Sequence, residues 1–325
     1  MQEVGASVPS HLAPGTHVLL SYTSCKTCAT CLSGSNSYCA SLRPLNFGGH
    51  RPSSNPSSPT TAVTTQSGKQ LQSFFFGQSS MGRLALADYR SLVPIDLSPS
   101  DLITSAALTC GIQTGASTIL NILRPRASSS IAIIGAGSVG LAAALAARLT
   151  HPSKLTVLDT NDAKFSLIPE VLTKEPYFNT LNSASVAPEN LVQRLKDATP
   201  HGLGYDYILD CAGSPAAVTQ LYPALAPRGT MMTVGGATPG AKVEIEVNAA
   251  LIGGRTYRGT HQGDAVPGVF LPEMIDLWKK GLFPFDALVT RYGFEDVPKA
   301  LVDLKEGRCV KALFVTGALG SEGLS

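Results

Sequence analysis

From about residue 130 onward, short apolar runs alternate with longer stretches in which apolar residues recur at helical spacing. Four of these runs have the length of buried strands: 131–134, 155–158, 205–209 and 230–234. Helices are predicted between them, at 142–149, 189–196 and 215–225. Strands that alternate with helices are joined by crossover connections, which predicts a mostly parallel sheet covered on both faces. Such sheets bind ligands at the carboxyl ends of their strands.

The sequence on either side of this region predicts fewer regular elements. Before it, we expect short strands within 14–22 and 84–89, an exposed Ser-, Thr- and Pro-rich loop at 51–68, and one apolar helix over 102–123. After it, we expect a helix at 269–280 and a final strand at 309–315. The chain is therefore predicted to join an α/β sheet region to a second, less regular part.

Composition and charge narrow the class of function. The chain has 325 residues, enough for two domains, and 44% are hydrophobic. Only 15% are charged, the net charge is +2, and Lys and Arg form no stripe, which argues against nucleic acid or an anionic membrane as partner. No apolar run reaches the roughly 18 residues of a membrane span. The start, MQEVG, lacks the basic and apolar regions of a secretory signal, so we expect a cytoplasmic protein whose seven cysteines are thiols or metal ligands.

A glycine-rich turn follows the first predicted strand. Residues 131–140 are IAIIGAGSVG, so three glycines lie between an apolar strand and an Ala-rich helix. In the dinucleotide fingerprint, Gly135 would allow a tight turn, Gly137 would let the backbone approach a pyrophosphate, and Gly140 would let helix and strand pack closely. The phosphates would lie at the helix N-terminus, where N–H groups and the helix dipole favour an anion.

Asp159, at the end of the next predicted strand, strengthens this interpretation. A carboxylate there can accept hydrogen bonds from both ribose hydroxyls and would repel a 2′-phosphate, which predicts NAD rather than NADP. The alternative is a glycine-rich turn in another kind of α/β protein, with Asp159 a solvated loop acid.

Four cysteines form a C-x2-C-x2-C-x7-C cluster at Cys25, Cys28, Cys31 and Cys39. Four thiolates in one loop can surround Zn²⁺ with no open position, which predicts a structural rather than a catalytic site. An iron–sulfur cluster is an alternative, although the ferredoxin pattern has a shorter last gap and a Pro after the fourth Cys, where this chain has Ala40. Four unrelated thiols are the remaining alternative.

With the cysteine cluster first and the nucleotide motif second, the chain resembles the zinc-dependent medium-chain alcohol dehydrogenases, in particular the aryl (benzyl) alcohol dehydrogenase branch. Further stretches carry the likeness: LSYTSC at 20–25, PLNFG at 44–48, FFGQSS at 75–80, CGIQTGA at 110–116 and GLFPFD at 281–286. The resemblance implies a GroES-like β-rich catalytic domain at 1–112 and 260–325, with an NAD-binding Rossmann domain at 113–259 between them. It also implies reversible oxidation of a primary, perhaps aromatic, alcohol to its aldehyde, and a homo-oligomer of two or four chains.

Family roles carry over where residues match. The coenzyme positions are Thr114, Gly135, Gly137, Ser138, Val139, Gly140, Asp159, Lys164, Val234, Gly235 and Lys311. By the resemblance, Thr114, Val234 and Gly235 lie beside the nicotinamide, Lys164 lies near the adenosine ribose, and Lys311 reaches the pyrophosphate. Cys110 falls on the third protein ligand of the family's catalytic zinc.

The other two ligands of that zinc, a Cys and the His of a Gly-His-Glu segment, have no counterpart in this chain, nor have the proton-relay residues. Residues 1–8 resemble the strand just after that segment, so we expect an N-terminally shortened member with weak turnover or none. None of the six histidines lies in the required context, and His261 is expected on the surface. Two alternatives remain: a zinc-free NADPH reductase of the same superfamily, and a non-catalytic NAD-binding paralogue.

Overall fold

The computed structural model describes residues 1–50, 63–78, 82 and 84–316, so most of the predicted loop at 51–68 lies outside the described residues. The strands are β1 Val18–Leu20, β2 Val63–Thr64, β3 Gln70–Leu71, β4 Leu92–Pro94, β5 Ser130–Ile134, β6 Lys154–Asp159, β7 Phe178–Asn182, β8 Tyr205–Asp210, β9 Leu225–Thr233, β10 Thr256–Gly259, β11 Val289–Gly293 and β12 Lys311–Val315. The helices are α1 Ala29–Leu32, α2 Leu42–Phe47, α3 Pro99–Ser105, α4 Gly111–Ser117, α5 Ser138–Arg148, α6 Glu170–Thr173, α7 Pro188–Asp197, α8 Pro215–Leu221, α9 Val247–Gly253, α10 Pro267–Lys279 and α11 Val297–Glu306.

Six parallel strands form one sheet in the order β10-β9-β8-β5-β6-β7. The four strands predicted from apolar runs are all present, and the parallel, doubly wound arrangement of a Rossmann domain is confirmed. The edge strands β7 and β10 were not predicted. Neither has an apolar run, because β7 is only partly buried and all four residues of β10 are exposed.

The core of the sheet lies under α5. Every residue of β5 is buried, and Leu141 to Ala147 of α5 are completely buried, so the Ala-rich helix lies close to the strands. Helix α4 packs closely against α5. A Cβ on Gly115 would lie only 2.0 Å from the carbonyl oxygen of Val139. This packing fixes α4, and the residues just before it, relative to the turn that follows β5.

Two expectations for the region before the sheet were wrong. Residues 84–88 form no strand; the strand that pairs with β1 is β4, a few residues later. The apolar stretch at 102–123 is not one helix, because the backbone of Cys110 (φ −140°, ψ −98°) breaks it before α4.

No single helix in the described part of the chain is long and apolar enough to cross a membrane; the pair Pro99–Thr109 and Gly111–Leu123 has the length and composition together but is bent by 67°.

The remaining strands form three two-stranded sheets outside the parallel sheet. β1 pairs with β4 and β2 with β3, both antiparallel, whereas β11 and β12 are parallel. Strand β2 lies within the stretch 51–68 that was predicted as a loop, and β3 follows directly after it. The overall α/β architecture, with a GroES-like β-rich part beside a doubly wound sheet, is the one expected.

Candidate active site

The turn between β5 and α5 has the geometry that the glycine motif predicts. Gly135 has φ +103°, a conformation that side chains with a Cβ rarely adopt. A Cβ on Gly140 would lie only 1.9 Å from the carbonyl oxygen of Gly135, so strand and helix touch through this glycine. A Cβ on Gly137 would meet no atom within 4 Å. The middle glycine therefore borders open space, as it must where a pyrophosphate approaches the backbone.

The N-terminus of α5 is free to receive an anion. Gly137 is its N-cap and supplies no side chain, and the first turn, which Ser138 and Val139 begin, contains no acidic residue. The N–H groups of a first helical turn have no acceptor within the helix, and the helix dipole makes this end positive. The open space beside Gly137 therefore lies next to a site that suits a phosphate group.

Asp159 lies at the end of β6 and faces the same turn. Its Oδ2 accepts hydrogen bonds from the N–H of Ala136 (2.8 Å) and from Nζ of Lys164 (3.0 Å), and its Oδ1 accepts one from the N–H of Asn161 (3.0 Å). Burial alone would raise the pKa of Asp159, but these donors outweigh burial and hold the pKa below its ordinary value. The structure thus brings Lys164 and a charged Asp159 to the glycine-rich turn.

The ends of β8 and β9 form the other side of this edge. Oδ1 of Asp210 accepts hydrogen bonds from the N–H groups of Ala212, Gly213 and Ser214, and burial raises the pKa of Asp210 despite them. The N–H groups that follow β9, those of Val234 and Gly235, both donate to the carbonyl of Asp210. Sequence reasoning did not identify Asp210, although its place at a strand end was the available signal.

Cys110, Thr114 and Gln262 meet where the chain bends into α4. The hydroxyl of Thr114 donates to the carbonyl of Cys110 (2.9 Å) and to Oε1 of Gln262 (3.4 Å). Nε2 of Gln262 lies 4.0 Å from Sγ of Cys110. Within the described residues, no two further Cys, His, Asp or Glu side chains join Cys110 in a set that could hold a metal ion. Gln262 had no signal in the sequence.

Lys311 is the remaining predicted coenzyme position. It begins β12 opposite Val289, and no described hydrogen bond joins it to the glycine-rich turn. Its proposed contact with the pyrophosphate therefore rests on the resemblance alone.

An aromatic cluster lies next to Gln262. The ring of Phe47 is 5.7 Å from Phe75, 5.5 Å from Phe76 and 6.3 Å from His261, measured between centroids. The expectation of a surface histidine was wrong: His261 is half-buried, burial lowers its pKa, and its Nδ1 has no hydrogen-bond partner among the described residues. Because Phe47 and Phe75 are 43% and 62% exposed, the cluster offers an open apolar surface beside His261, which precedes Gln262 in the chain.

The four clustered cysteines, in what we call the cysteine lobe (residues 25–39), point their sulfurs at one another. All four Sγ atoms lie within 4.8 Å of one another, and those of Cys25 and Cys31 are 3.9 Å apart. Tetrahedral zinc with Zn–S bonds of about 2.3 Å requires S···S distances of about 3.8 Å. The four sulfurs therefore fit a zinc ion, and this geometry disfavours the alternative of four unrelated thiols.

Backbone N–H groups surround these sulfurs as they do in thiolate metal sites. The N–H of Cys25 lies 3.2 Å from Sγ of Cys39, that of Cys28 lies 3.3 Å from Sγ of Cys25, and that of Ala40 lies 3.5 Å from Sγ of Cys28. The Thr30 hydroxyl and the N–H of Ala40 lower the pKa of Cys28 to about 5, whereas burial raises the pKa of Cys31. These contacts favour a thiolate at Cys28, whereas burial disfavours one at Cys31.

Comparison with known proteins shows what the chain is similar to. Residues 138–280 match the family described as "Zinc-binding dehydrogenase". The chain is 35% identical to a geraniol dehydrogenase of Castellaniella defragrans over 97% of its own length and 80% of that protein's.

Solved structures give the same result. An alcohol dehydrogenase zinc-binding domain protein from Burkholderia ambifaria superposes with a TM-score of 0.85 at 36% identity, covering 97% of this chain and 81% of the other. The benzyl alcohol dehydrogenase of Acinetobacter calcoaceticus gives 0.82 at 30% identity, with the same coverage. The chain therefore belongs to the zinc-binding dehydrogenases of the medium-chain alcohol dehydrogenase family.

Proposed function

We propose that this protein is an NAD-dependent oxidoreductase that interconverts a primary alcohol with an apolar, aromatic-sized group and its aldehyde. The observation that carries the proposal is the open space beside Gly137, which lies between the uncapped N-terminus of α5 and the charged Asp159. We assign the coenzyme to residues 113–259 and the remainder of the cleft to residues 1–112 and 260–325.

The chain's own residues would hold the coenzyme in three places. The first turn of α5 would bind the pyrophosphate, and Asp159 with Lys164 would bind the adenosine ribose. Thr114, together with Val234 and Gly235, would lie beside the nicotinamide. When bound, the coenzyme accepts a hydride from the alcohol or returns one to the aldehyde. Asp159 disfavours NADP because a 2′-phosphate would meet its negative charge.

Zinc has a structural and a catalytic role in the family. The described residues of this chain offer four ligands for the structural ion but no complete set for the catalytic one. The sulfurs of the cysteine lobe would hold a structural ion that stabilises a segment with little core of its own. A zinc ion at Cys110 would lower the pKa of the bound alcohol. Catalytic zinc usually has three protein ligands, and the described residues bring no such set to Cys110. We therefore propose that residues 1–325 turn over weakly.

That observation also favours the second candidate, a non-catalytic NAD-binding protein. It shares the coenzyme site and differs only in turnover, so an assay separates the two. The zinc-free NADPH reductase is disfavoured by Asp159 and by the geometry of the cysteine lobe.

The protein is assigned to the cytoplasm because its cysteines are all free, which suits a reducing compartment.

The substrate preference follows from the Phe47, Phe75 and Phe76 rings, which suit a flat apolar group better than a short chain.

The experiment measures coenzyme reduction with benzyl alcohol, geraniol and ethanol in the presence of NAD or NADP. We expect slow turnover that favours the two apolar alcohols, and a preference for NAD of about tenfold or more, since repulsion between like charges exceeds about 1.4 kcal/mol. Asp159→Ser should reduce that preference. Asp162→Ser, which changes an exposed acid three residues away, should leave it as it is.

Three results decide between the candidates. Equal rates with ethanol would contradict the substrate proposal, and a preference for NADPH would revive the zinc-free reductase. Coenzyme binding with no turnover on any alcohol, even after a segment carrying Cys and Gly-His-Glu is joined upstream, would favour the non-catalytic protein.

We also propose a dimer or tetramer formed through the β10 edge of the sheet. Val247, Leu251 and Ile252 of α9 are 80%, 74% and 79% exposed, and β10 pairs only with β9 among the described strands, which leaves its outer edge open. Leu251→Glu should therefore halve the mass found by light scattering, from two chains to one for a dimer or from four chains to two for a tetramer. Leu203→Glu, at a residue 57% exposed elsewhere, should not change the mass; a wild-type protein that is monomeric would contradict the proposal.

A further inference from the structure

The segment that follows β10 has an unusual backbone. Gln262, Gly263 and Asp264 have φ values of +55°, +64° and +54°, so three successive residues are left-handed and two of them are not glycine. A non-glycine residue in this conformation is strained and persists only where its surroundings hold it. The segment also lies tightly against α4, because a Cβ on Gly263 would be 2.5 Å from the carbonyl oxygen of Thr114.

Contacts from α4 hold one side of this turn. The hydroxyl of Ser117 donates to the carbonyl of Gly263 (2.6 Å), and Asn121 in turn donates to that hydroxyl (2.8 Å). In this position the amide of Gln262 is buried and accepts a hydrogen bond from Nε2 of Gln113 (3.2 Å) as well as from Thr114.

The carboxylate of Asp264 holds the other side. It accepts hydrogen bonds from Arg258 (2.8 Å) and Thr260 (2.7 Å), which belong to the same stretch of chain. Its third partner comes from far away in the sequence: the hydroxyl of Tyr38 donates to Oδ1 at 2.5 Å.

Tyr38 directly precedes Cys39, the last cysteine of the cysteine lobe, and Cys39 is buried. A second tyrosine hydroxyl from just before the lobe, that of Tyr22, donates to the carbonyl of Ala265 at the end of the same turn. Tyr38 in the cysteine lobe and Tyr22 just before it therefore both hydrogen-bond to this turn. The side chain of Gln262 in the turn reaches Cys110 and Thr114.

We propose that Tyr38 is a positioning residue that, through Asp264, holds the left-handed turn at 262–264, so that the cysteine lobe sets the position of Gln262 and with it the coenzyme affinity of the cleft. The part that concerns affinity rests on the proposed function, in which Thr114 lies beside the nicotinamide. The part that concerns the turn does not depend on it.

The test compares Tyr38→Phe with Tyr292→Phe in the full chain. Each removes one tyrosine hydroxyl that donates to an aspartate, Asp264 in one case and Asp303 in the other, where the distance is 2.9 Å. Both variants lose the same kind of hydrogen bond, but Tyr292 is in β11 and is more buried than Tyr38, in a separate cluster with Ala300 and Cys309. Two quantities are measured: deuterium exchange at residues 262–265, and the Kd of NADH by fluorescence titration.

We expect Tyr38→Phe to speed exchange at the N–H groups of Asp264 and Ala265, which donate to His261 and Gln262, and to raise the Kd of NADH about fivefold or more. Tyr292→Phe should change neither. Gln262→Met should raise the Kd while exchange at Asp264 stays as in the unaltered protein, because the turn remains held.

Unchanged exchange in Tyr38→Phe would overturn the positioning role, and faster exchange with an unchanged Kd would overturn the coupling to affinity. If the unaltered protein bound no NADH, the proposed function would fail, and the exchange measurement would still decide whether Tyr38 holds the turn.

Discussion

Replacing Gly140 by alanine should destabilise the protein by about 3 kcal/mol and abolish coenzyme binding. The new Cβ would lie 1.9 Å from the carbonyl oxygen of Gly135 and 3.2 Å from Cγ2 of Ile133, and Gly140 is buried. The first neighbour is backbone, so the overlap can be relieved only by moving α5 away from β5. Overpacking of this kind typically costs about 1–3 kcal/mol, and here it also deforms the phosphate-binding turn.

Gly137→Ala is the matched control, because the same added methyl group meets no protein atom within 4 Å. At φ −93°, Gly137 is also in a conformation that alanine adopts readily. Its cost in stability should be about 1 kcal/mol or less, the difference between glycine and alanine at an N-cap. Its Kd for NADH should nevertheless rise about tenfold or more, because the methyl group enters the space proposed for the pyrophosphate.

Urea unfolding and NADH titration of both variants check these two effects. Wild-type stability in Gly140→Ala would mean that α5 does not lie against the turn as the structure shows. Wild-type affinity in Gly137→Ala would mean that the coenzyme does not approach the backbone at this glycine.

Replacing Cys28 by serine should remove zinc from the cysteine lobe. The four Sγ atoms lie within 4.8 Å of one another, and a site with three thiolates no longer closes around the ion. Structural zinc contributes about 10–16 kcal/mol of apparent binding free energy in small zinc-binding peptides, so the lobe should unfold locally when the ion is lost. We expect zinc content to fall from about one ion per chain to none, with a lower Tm.

Cys309→Ala provides the control, because Cys309 is buried next to β12, packs with Tyr292 and Ala300, and is not one of the four clustered cysteines. It should cost stability through the lost packing and leave zinc content unchanged. Zinc retained in Cys28→Ser would contradict the four-sulfur site. Iron and sulfide in the purified protein, with the visible absorption of a cluster, would favour the iron–sulfur alternative instead.

The parts of the fold that could be predicted are those in which local pattern and burial agree. β5 is completely buried, and most residues of β6, β8 and β9 are buried, so each has an apolar run. The spacing of the four cysteines already identifies the lobe. The strand β10 could not be predicted because it is an exposed edge strand whose pairing comes from backbone hydrogen bonds to β9. The break at Cys110 is likewise set by the packing of α4 against α5, which no local pattern reveals.

In the candidate site as well, the residues that could be predicted are those whose roles depend on their neighbours in the sequence. The glycines and Asp159 are found by motif because their roles depend on residues close to them in sequence. Gln262 and Tyr38 are not found, because their roles depend on contacts that span 152 and 226 positions of the chain. The expectation for His261 failed for the same kind of reason: one of its contacts is the ring of Phe47, which belongs to a helix far away in the sequence.

Titration of the unaltered 325-residue chain with NADH and, separately, with NADPH tests most directly whether this cleft is a nicotinamide dinucleotide site. We predict saturable binding of about one NADH per chain and an NADPH affinity at least about tenfold weaker, since the carboxylate of Asp159 opposes a 2′-phosphate. A folded protein that binds neither coenzyme, or that binds NADPH more tightly than NADH, would contradict it.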